Sequence, residues 1–197
     1  MLLSRYSQEA LEAGCDEAGR GPLAGPVFAA AVIFAPDYRN PRLDDSKKLS
    51  EKARYALREE IMRDALSYAV ARVDAGEIDR LNVLNASIHA MHLALKGLDP
   101  QPAFVTVDGN RFKPYGKVPH VCVVKGDGKY LSIAAASILA KTFRDDFMRE
   151  LHQECPLYGW DENKGYPTKA HYDAILRNGP SPWHRRSFKL YQELTLF

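Results

Sequence analysis

Long apolar runs, paired cysteines and a strong charge of either sign are all missing from this chain of 197 residues. No stretch is apolar over the roughly 20 residues that a membrane-spanning helix needs, which excludes a helical anchor and predicts no membrane partner. The opening Met-Leu-Leu-Ser-Arg-Tyr-Ser-Gln-Glu turns polar too soon for a secretory signal, so residence in the cytoplasm is expected. Cys15, Cys122 and Cys155 are an odd, widely spaced set with no Cys-x-x-Cys. They exclude a disulfide framework or a zinc ribbon and fit reduced thiols. Net charge is only +2, so a nucleic-acid surface has to come from local clustering of basic residues. No repeat, low-complexity tract or linker interrupts the chain, and its length and 46% hydrophobic content suit one well-buried core. A single domain over 1–197 is expected, the last ~40 residues forming a cap or extension, and the protein is expected to be a monomer.

What the chain does have is acids set beside glycines at the ends of apolar runs. Residues 14–26 read Gly-Cys-Asp-Glu-Ala-Gly-Arg-Gly-Pro-Leu-Ala-Gly-Pro. Strands are predicted over 13–17 and 27–34, the second a nearly continuous apolar run that belongs inside a sheet. Further strands are predicted over 67–73, over a short β-branched stretch ending at Asp108-Gly109, and over 118–124. Ser50 is a plausible cap for a helix to about residue 65, with Ala53, Leu57, Ile61 and Ala65 on one face. Leu84, Ile88, Met91 and Leu95 mark a second helix that Gly97 stops. A long alanine-rich helix spans 131–154, and a last one 169–177. Residues 75–82 read as a polar connection with a short turn, and 158–168 as an aromatic, glycine-rich loop.

The acids fall at strand ends three times: Asp16 with Glu17, Asp108, and Asp127. Strand ends are where ligand sites collect. Four carboxylates gathered there would repel, and the cluster is tolerable only with bound cations or shifted pKa values. Two divalent ions about 3.5–4 Å apart would satisfy it and would serve phosphodiester hydrolysis. The competing reading of residues 14–26 is a solvated turn. The geometry also carries a difficulty, because neighbours on a regular strand point to opposite faces, and Asp16 and Glu17 must nevertheless serve one site.

These residues resemble the ribonuclease HII family. Asp-Glu-Ala-Gly-Arg-Gly-Pro-Leu-Ala-Gly-Pro-Val resembles its opening motif. Asp-Ser-Lys-Lys-Leu at 45–49, Asn-Val-Leu-Asn-Ala-Ser at 82–87 and Val-Asp-Gly-Asn at 107–110 follow in order. So do Lys-Gly-Asp at 125–127, Ser-Ile-Ala-Ala-Ala-Ser-Ile-Leu-Ala-Lys at 132–141, Lys-Gly-Tyr-Pro-Thr at 164–168 and His-Arg-Arg-Ser-Phe at 184–188. The resemblance spans nearly the whole chain. It implies an α/β ribonuclease H-like fold, a mixed five-stranded sheet flanked by helices with a small helical C-terminal segment. It implies a metal-dependent endonuclease that hydrolyses the RNA strand of RNA–DNA hybrids and cuts 5′ of single ribonucleotides embedded in duplex DNA, leaving 3′-hydroxyl and 5′-phosphate ends. Asp16, Glu17, Asp108 and Asp127 match the family's metal-binding acids, for Mg2+ or Mn2+. Gly19, Arg20, Gly21 and Tyr166 match positions that recognise the 2′-hydroxyl at the RNA–DNA junction, the group that separates RNA from DNA there. A junction resolvase or transposase-like nuclease would share the acids without needing a 2′-hydroxyl reader, and a non-catalytic hybrid-binding module would have lost an acid.

Other residues carry two readings each. Lys47 and Lys48 grip phosphates or sit in a solvated loop. Lys141 and Arg144, one helical turn apart, face the duplex or solvent. Asn82 and Asn85 contact the nucleic-acid backbone or cap a helix. Asp145 and Asp146 read as solvent-facing, and His89 and His92 lack a third ligand for a metal. Trp160 and Trp183 are expected to anchor the cap. His184, Arg185 and Arg186 form a phosphate patch or fold back on the core. Residues 192–197, Gln-Glu-Leu-Thr-Leu-Phe, resemble the short peptides that dock bacterial sliding clamps; the alternative is a tail packed on its own domain.

Overall fold

The computed structural model describes residues 2–191, so the tail at 192–197 lies outside the described residues. Five strands form one sheet: β1 (Glu12–Ala18), β2 (Val27–Ile33), β3 (Ser67–Val73), β4 (Phe104–Asp108) and β5 (His120–Val123). Their order across the sheet is β3-β2-β1-β4-β5. β1, β2 and β3 pair antiparallel, while β4 joins β1 and β5 joins β4 in parallel. This is the mixed sheet that the resemblance implies.

The unbroken apolar run of β2 is buried along its whole length because both of its faces are covered. Val27, Ala29, Ala31 and Ile33 pack on one side with Ala13 and Cys15 of β1 and with Ala90, Met91 and Ala94 of helix α3 (Val83–Lys96). Ala30 and Val32 face the other side. There they meet Leu57 and Ile61 of α1 (Glu51–Asp64) and the small-residue stretch of α4 (Leu131–Glu154). Ser50 caps α1 by accepting the Ala53 N–H at 3.2 Å. The approach of α4 to β1 is so close that a Cβ on Gly14 would lie 2.3 Å from the Ser132 carbonyl carbon. A side chain at that position would push the helix off the sheet.

Three stretches depart from expectation. The stretch expected as a polar connection over 75–82 holds a helix, α2 (Ala75–Leu81), on which Ala75 and Ile78, one turn apart, are both buried. β5 starts later than residue 118, since Val118 turns back to bond Tyr115. The aromatic loop is partly helical, with a 3-10 turn at Pro156–Tyr158 and a short helix α5 (Trp160–Asn163).

A third apolar cluster fastens the C-terminal part. Trp160, Tyr158 and Leu190 join Ala174 and Ile175 of α6 (Lys169–Asn178), Met148 and Leu151 of α4, and Leu23 and Ala24. Trp160 is fully buried and Trp183 packs at the edge, the anchoring role expected of them. His184 and Arg185 are also buried, so this segment folds back on the core and those two residues form no surface phosphate patch. Asp145 and Asp146 are not the solvent-facing pair expected. Asp145 is buried and bonds Lys141 at 2.5 Å, and Asp146 receives Tyr55 and Arg58 at 2.5 Å each, so both acids brace α4.

Candidate active site

The parallel register of β1 on β4 aligns Cys15 with Val107, and one step further on it sets Asp16 beside Asp108. Alternation along β1 places Cys15 with the α3-side core and Gly14 against α4. Asp16 therefore points toward α4 and Glu17 toward α3. The two acids do occupy opposite faces. One site is still reachable because the pairing of β1 with β4 stops at Cys15: beyond it Asp16, Glu17 and Asp108 all line one cleft, and the Glu17 N–H donates to Asp16 Oδ1 at 2.7 Å. Asp16, Glu17, Gly19, Lys47, Asp108, Lys141 and Tyr166 line one cleft of about 280 Å³. Glu17 and Asp108 also line a second cleft of about 260 Å³ on the α3 side, with Arg20, Ser87, Asn110 and Arg111. The strand tips thus form a ridge between two grooves.

Burial raises the Asp16 pKa well above the usual carboxylate value, and the neighbouring charges of Glu17 and Asp108 push it further. A hydrogen bond from the Ser137 hydroxyl and the Glu17 N–H partly offset this. Glu17 is raised by burial, against the pull of Arg20, whose Nη1 lies 3.2 Å from Glu17 Oε1. Asp108 is raised by burial, against the N–H of Gly126, which donates to Oδ1 at 2.7 Å. Asp127 sits in a buried 3-10 turn (Gly126–Gly128) and accepts from Lys47 Nζ at 3.2 Å. That contact holds the lysine pKa up against the cost of its burial.

The donor set is carboxylate oxygen, which suits magnesium or manganese. No group of three or more His, Cys, Asp or Glu side chains among the described residues is arranged to hold a metal ion as it stands. The reason is visible in the contacts. Lys47 occupies Asp127, Arg20 occupies Glu17, and backbone N–H groups occupy Asp16 and Asp108. Positive charge is already drawn into the cluster, and three carboxylates remain strained toward protonation. The residues fit a divalent cation.

The loop after β1 is held from below by two buried arginines. Arg144 donates to the carbonyls of Pro26 at 3.0 Å, Ala24 at 3.2 Å and Lys164 at 3.0 Å. Arg185 donates to those of Gly25 at 3.0 Å, Arg20 at 3.0 Å and Gly19 at 2.6 Å. Burial lowers their pKa values to about 10 and about 9. Gly19 has φ +95°, and a Cβ there would strike Arg144 Nε at 2.1 Å, so only glycine fits over this clamp. Tyr166, partly exposed, stands above the loop, and a Cβ on Gly21 would lie 3.8 Å from its ring.

Among the substrate residues expected from the sequence, Gly19, Lys47, Lys141 and Tyr166 reach the cleft of the acids, and Arg20 the groove beside it. Gly21 adjoins Tyr166. Lys48 instead pairs with Asp44 at 3.0 Å. Asn82 caps α3 through the Asn85 N–H, and Asn85 bonds the Leu81 carbonyl. Arg144 is buried and does not face a duplex. Ser46, Arg54 and Ser137 line the cleft without having been singled out. Ser137 carries a signal, as one of two hydroxyls in the alanine-rich stretch at 132–141. For Arg185 the fold-back alternative holds, while the buried clamp that Arg144 and Arg185 form has no signal in the residues around them.

The family model for ribonuclease HII matches residues 13–191. The ribonuclease HII of Bacteroides fragilis strain YCH46 is 60% identical over 190 residues, covering 96% of this chain and 94% of that protein. That of Parabacteroides distasonis is 58% identical over 197 residues, covering 100% and 99%. The structure of the PCNA:RNase HII complex from Archaeoglobus fulgidus has a TM-score of 0.75 at 26% identity, covering 94% of this chain and 98% of that chain. Ribonuclease H2 from Pyrococcus horikoshii OT3 has a TM-score of 0.74 at 26% identity, covering 91% and 94%.

Proposed function

The chain belongs to the ribonuclease HII family, and from that membership we propose that Asp16, Glu17, Asp108 and Asp127 hold divalent cations, Mg2+ or Mn2+, where the substrate is cut. The enzyme is an endoribonuclease acting on RNA–DNA hybrids and on ribonucleotides embedded in DNA. Ribonucleases of this family use divalent cations. Bound among these carboxylates, such ions supply an activated water and stabilise charge on the phosphate. The chain's own residues do the rest. Asp16 and Glu17 embrace the scissile position from opposite sides of one strand tip. Lys47 and Lys141, both lining the cleft, neutralise phosphates flanking it. The Ser46 and Ser137 hydroxyls bond each other at 3.0 Å, and Ser137 also serves Asp16. No histidine or cysteine lines the cleft, which favours water as the attacking group.

The loop carbonyls of Gly19 and Arg20 turn inward to Arg185, so the outer surface of the loop is free to meet a ribose 2′-hydroxyl. Tyr166 stacks on the following deoxyribose, where a second hydroxyl would clash. Cleavage falls 5′ of the ribonucleotide and leaves a 3′-hydroxyl and a 5′-phosphate. The observation that supports this most directly is the meeting of Asp16, Glu17 and Asp108 with Gly19 and Tyr166 in one cleft. The test is cleavage of a duplex carrying one embedded ribonucleotide, with and without magnesium or manganese. Cutting on its 5′ side only when the cation is present is expected; no cutting at that position in either metal would end the reading.

We also propose that residues 192–197 dock a sliding clamp. The Leu-x-Leu-Phe pattern supports this, and the Archaeoglobus relative forms a complex with PCNA. A chain truncated after Tyr191 should lose clamp binding in a pull-down, and unchanged binding would remove the idea.

A further inference from the structure

Beneath the cleft, two histidines and a tryptophan form a buried chain of hydrogen bonds whose proton positions follow from their partners. The Ser181 backbone N–H can only donate, and it reaches His184 Nδ1 at 2.9 Å. His184 therefore carries its proton on Nε2 and donates it to His171 Nε2 at 3.2 Å. The Trp160 indole N–H donates to that same His171 nitrogen at 3.1 Å. With Nε2 accepting twice, the His171 proton sits on Nδ1 and is donated to the Tyr166 carbonyl at 3.0 Å. Both rings are buried, and burial lowers both pKa values, that of His184 to about 4, so each is neutral near pH 7.

The residue after His184 is Arg185, whose guanidinium grips the Gly19 and Arg20 carbonyls. The backbone is locked at the same place: Arg185 N–H donates to Leu23 at 2.8 Å and Gly25 N–H to Trp183 at 2.9 Å. One dipeptide therefore grips both parts of the junction reader. His184 reaches Tyr166 through His171, and Arg185 reaches the glycine loop directly.

We propose that His171, His184 and Arg185 are positioning residues that fix the spacing between Tyr166 and the Gly19-Arg20 backbone, and so set the preference for a ribonucleotide followed by a deoxyribonucleotide. The proposal rests on the reading of Tyr166 and the loop as the junction reader. All three are buried, none lines the cleft, and none bonds a carboxylate of the acid cluster directly. Loosening the chain misplaces the reader while leaving cleavage of a continuous hybrid, where any ribonucleotide will serve, much less affected.

The measurement is the ratio of kcat/KM on a duplex with one embedded ribonucleotide to kcat/KM on a continuous RNA–DNA hybrid. A variant that is only partly folded lowers both rates together and leaves the ratio untouched. Tyr166→Ala should lower the ratio, and an unchanged ratio there overturns the reader itself. His171→Leu should lower it by about tenfold, the equivalent of one buried hydrogen bond. His171→Asn, whose amide N–H occupies the Nδ1 position, should restore it to within about threefold of wild type. Arg185→Lys, which lacks the planar fork that holds three carbonyls at once, should lower it as His171→Leu does. If Tyr166→Ala lowers the ratio but His171→Leu and Arg185→Lys do not, the positioning inference fails alone. Failure of both variants to fold would overturn it as well, because the chain would then hold the core and not the reader.

Discussion

Two groups of like charge are buried within one cleft's reach of each other, and they are handled in opposite ways. The acids at the tips of β1 and β4 are only partly compensated. Burial and mutual repulsion leave Asp16, Glu17 and Asp108 short of full ionic stabilisation. Arg144 and Arg185 are as deeply buried and have no carboxylate partner in these contacts, yet each places its guanidinium N–H groups on three backbone carbonyls. A charge whose every nitrogen is held by a fixed backbone dipole becomes part of the frame. A charge left incompletely satisfied keeps free energy available for a ligand. On the proposed reading, the difference separates the groups that act from the groups that hold.

Removing one member of each set should therefore give opposite results. Asp16→Asn should lower hydrolysis by about a thousandfold, the scale of several kcal/mol of lost charge stabilisation. The same variant, free of metal, should melt no lower than wild type because repulsion is relieved; a clear drop in Tm would contradict the clustered-acid picture. Arg185→Met should destabilise by about 3 kcal/mol, since buried carbonyls lose their donors. Denaturant unfolding of the metal-free protein measures it, and a neutral result would show that the arginine is not part of the frame.

Acid should sharpen the contrast further. Asp16 has a folded pKa above its unfolded value, so the penalty for its charge is present above the folded pKa and disappears as pH falls below both. The stability advantage of Asp16→Asn should accordingly shrink on acidification. His184 has a folded pKa of about 4, below its ordinary 6.5, so the unfolded chain binds the extra proton and stability falls as pH drops between those values. Unfolding curves of both proteins across this range test the two slopes, and parallel curves for wild type and Asp16→Asn would remove the first.

The smallest effects concern the lysines. Lys47→Met and Lys141→Met should each reduce the salt dependence of duplex binding by about one unit in log–log slope, as for one lost phosphate contact. Lys48→Met, outside the cleft that Lys47 and Lys141 line, should leave the slope unchanged. Equal slopes for all three would dissolve the distinction.

The sheet and its helices were legible because their signals are periodic: β2 is unbroken and apolar, and α1 and α3 repeat their buried positions every three or four residues. α2 was missed because seven residues with two buried positions carry too little pattern. The acids were legible as residues beside glycines at strand ends. How Asp16 and Glu17 share a site was not, because the answer depends on where β1 stops relative to β4, and that is set by long-range pairing. Arg144 and Arg185 were illegible for a related reason. Their partners are carbonyls far away in the chain, and a carbonyl leaves no mark in a sequence.

The parallel pairing of β1 with β4 has a consequence for the newly made chain. β1, β2 and β3 pair as sequential antiparallel neighbours, whereas β4 arrives only after two further helices have been synthesised. Contacts that close so large a loop cost more entropy than those between neighbours in sequence. Asp16 and Glu17 therefore emerge from the ribosome well before Asp108 can stand beside them. On the proposed reading of these acids, a chain interrupted before β4 carries Asp16 and Glu17 without Asp108, and so holds an incomplete site.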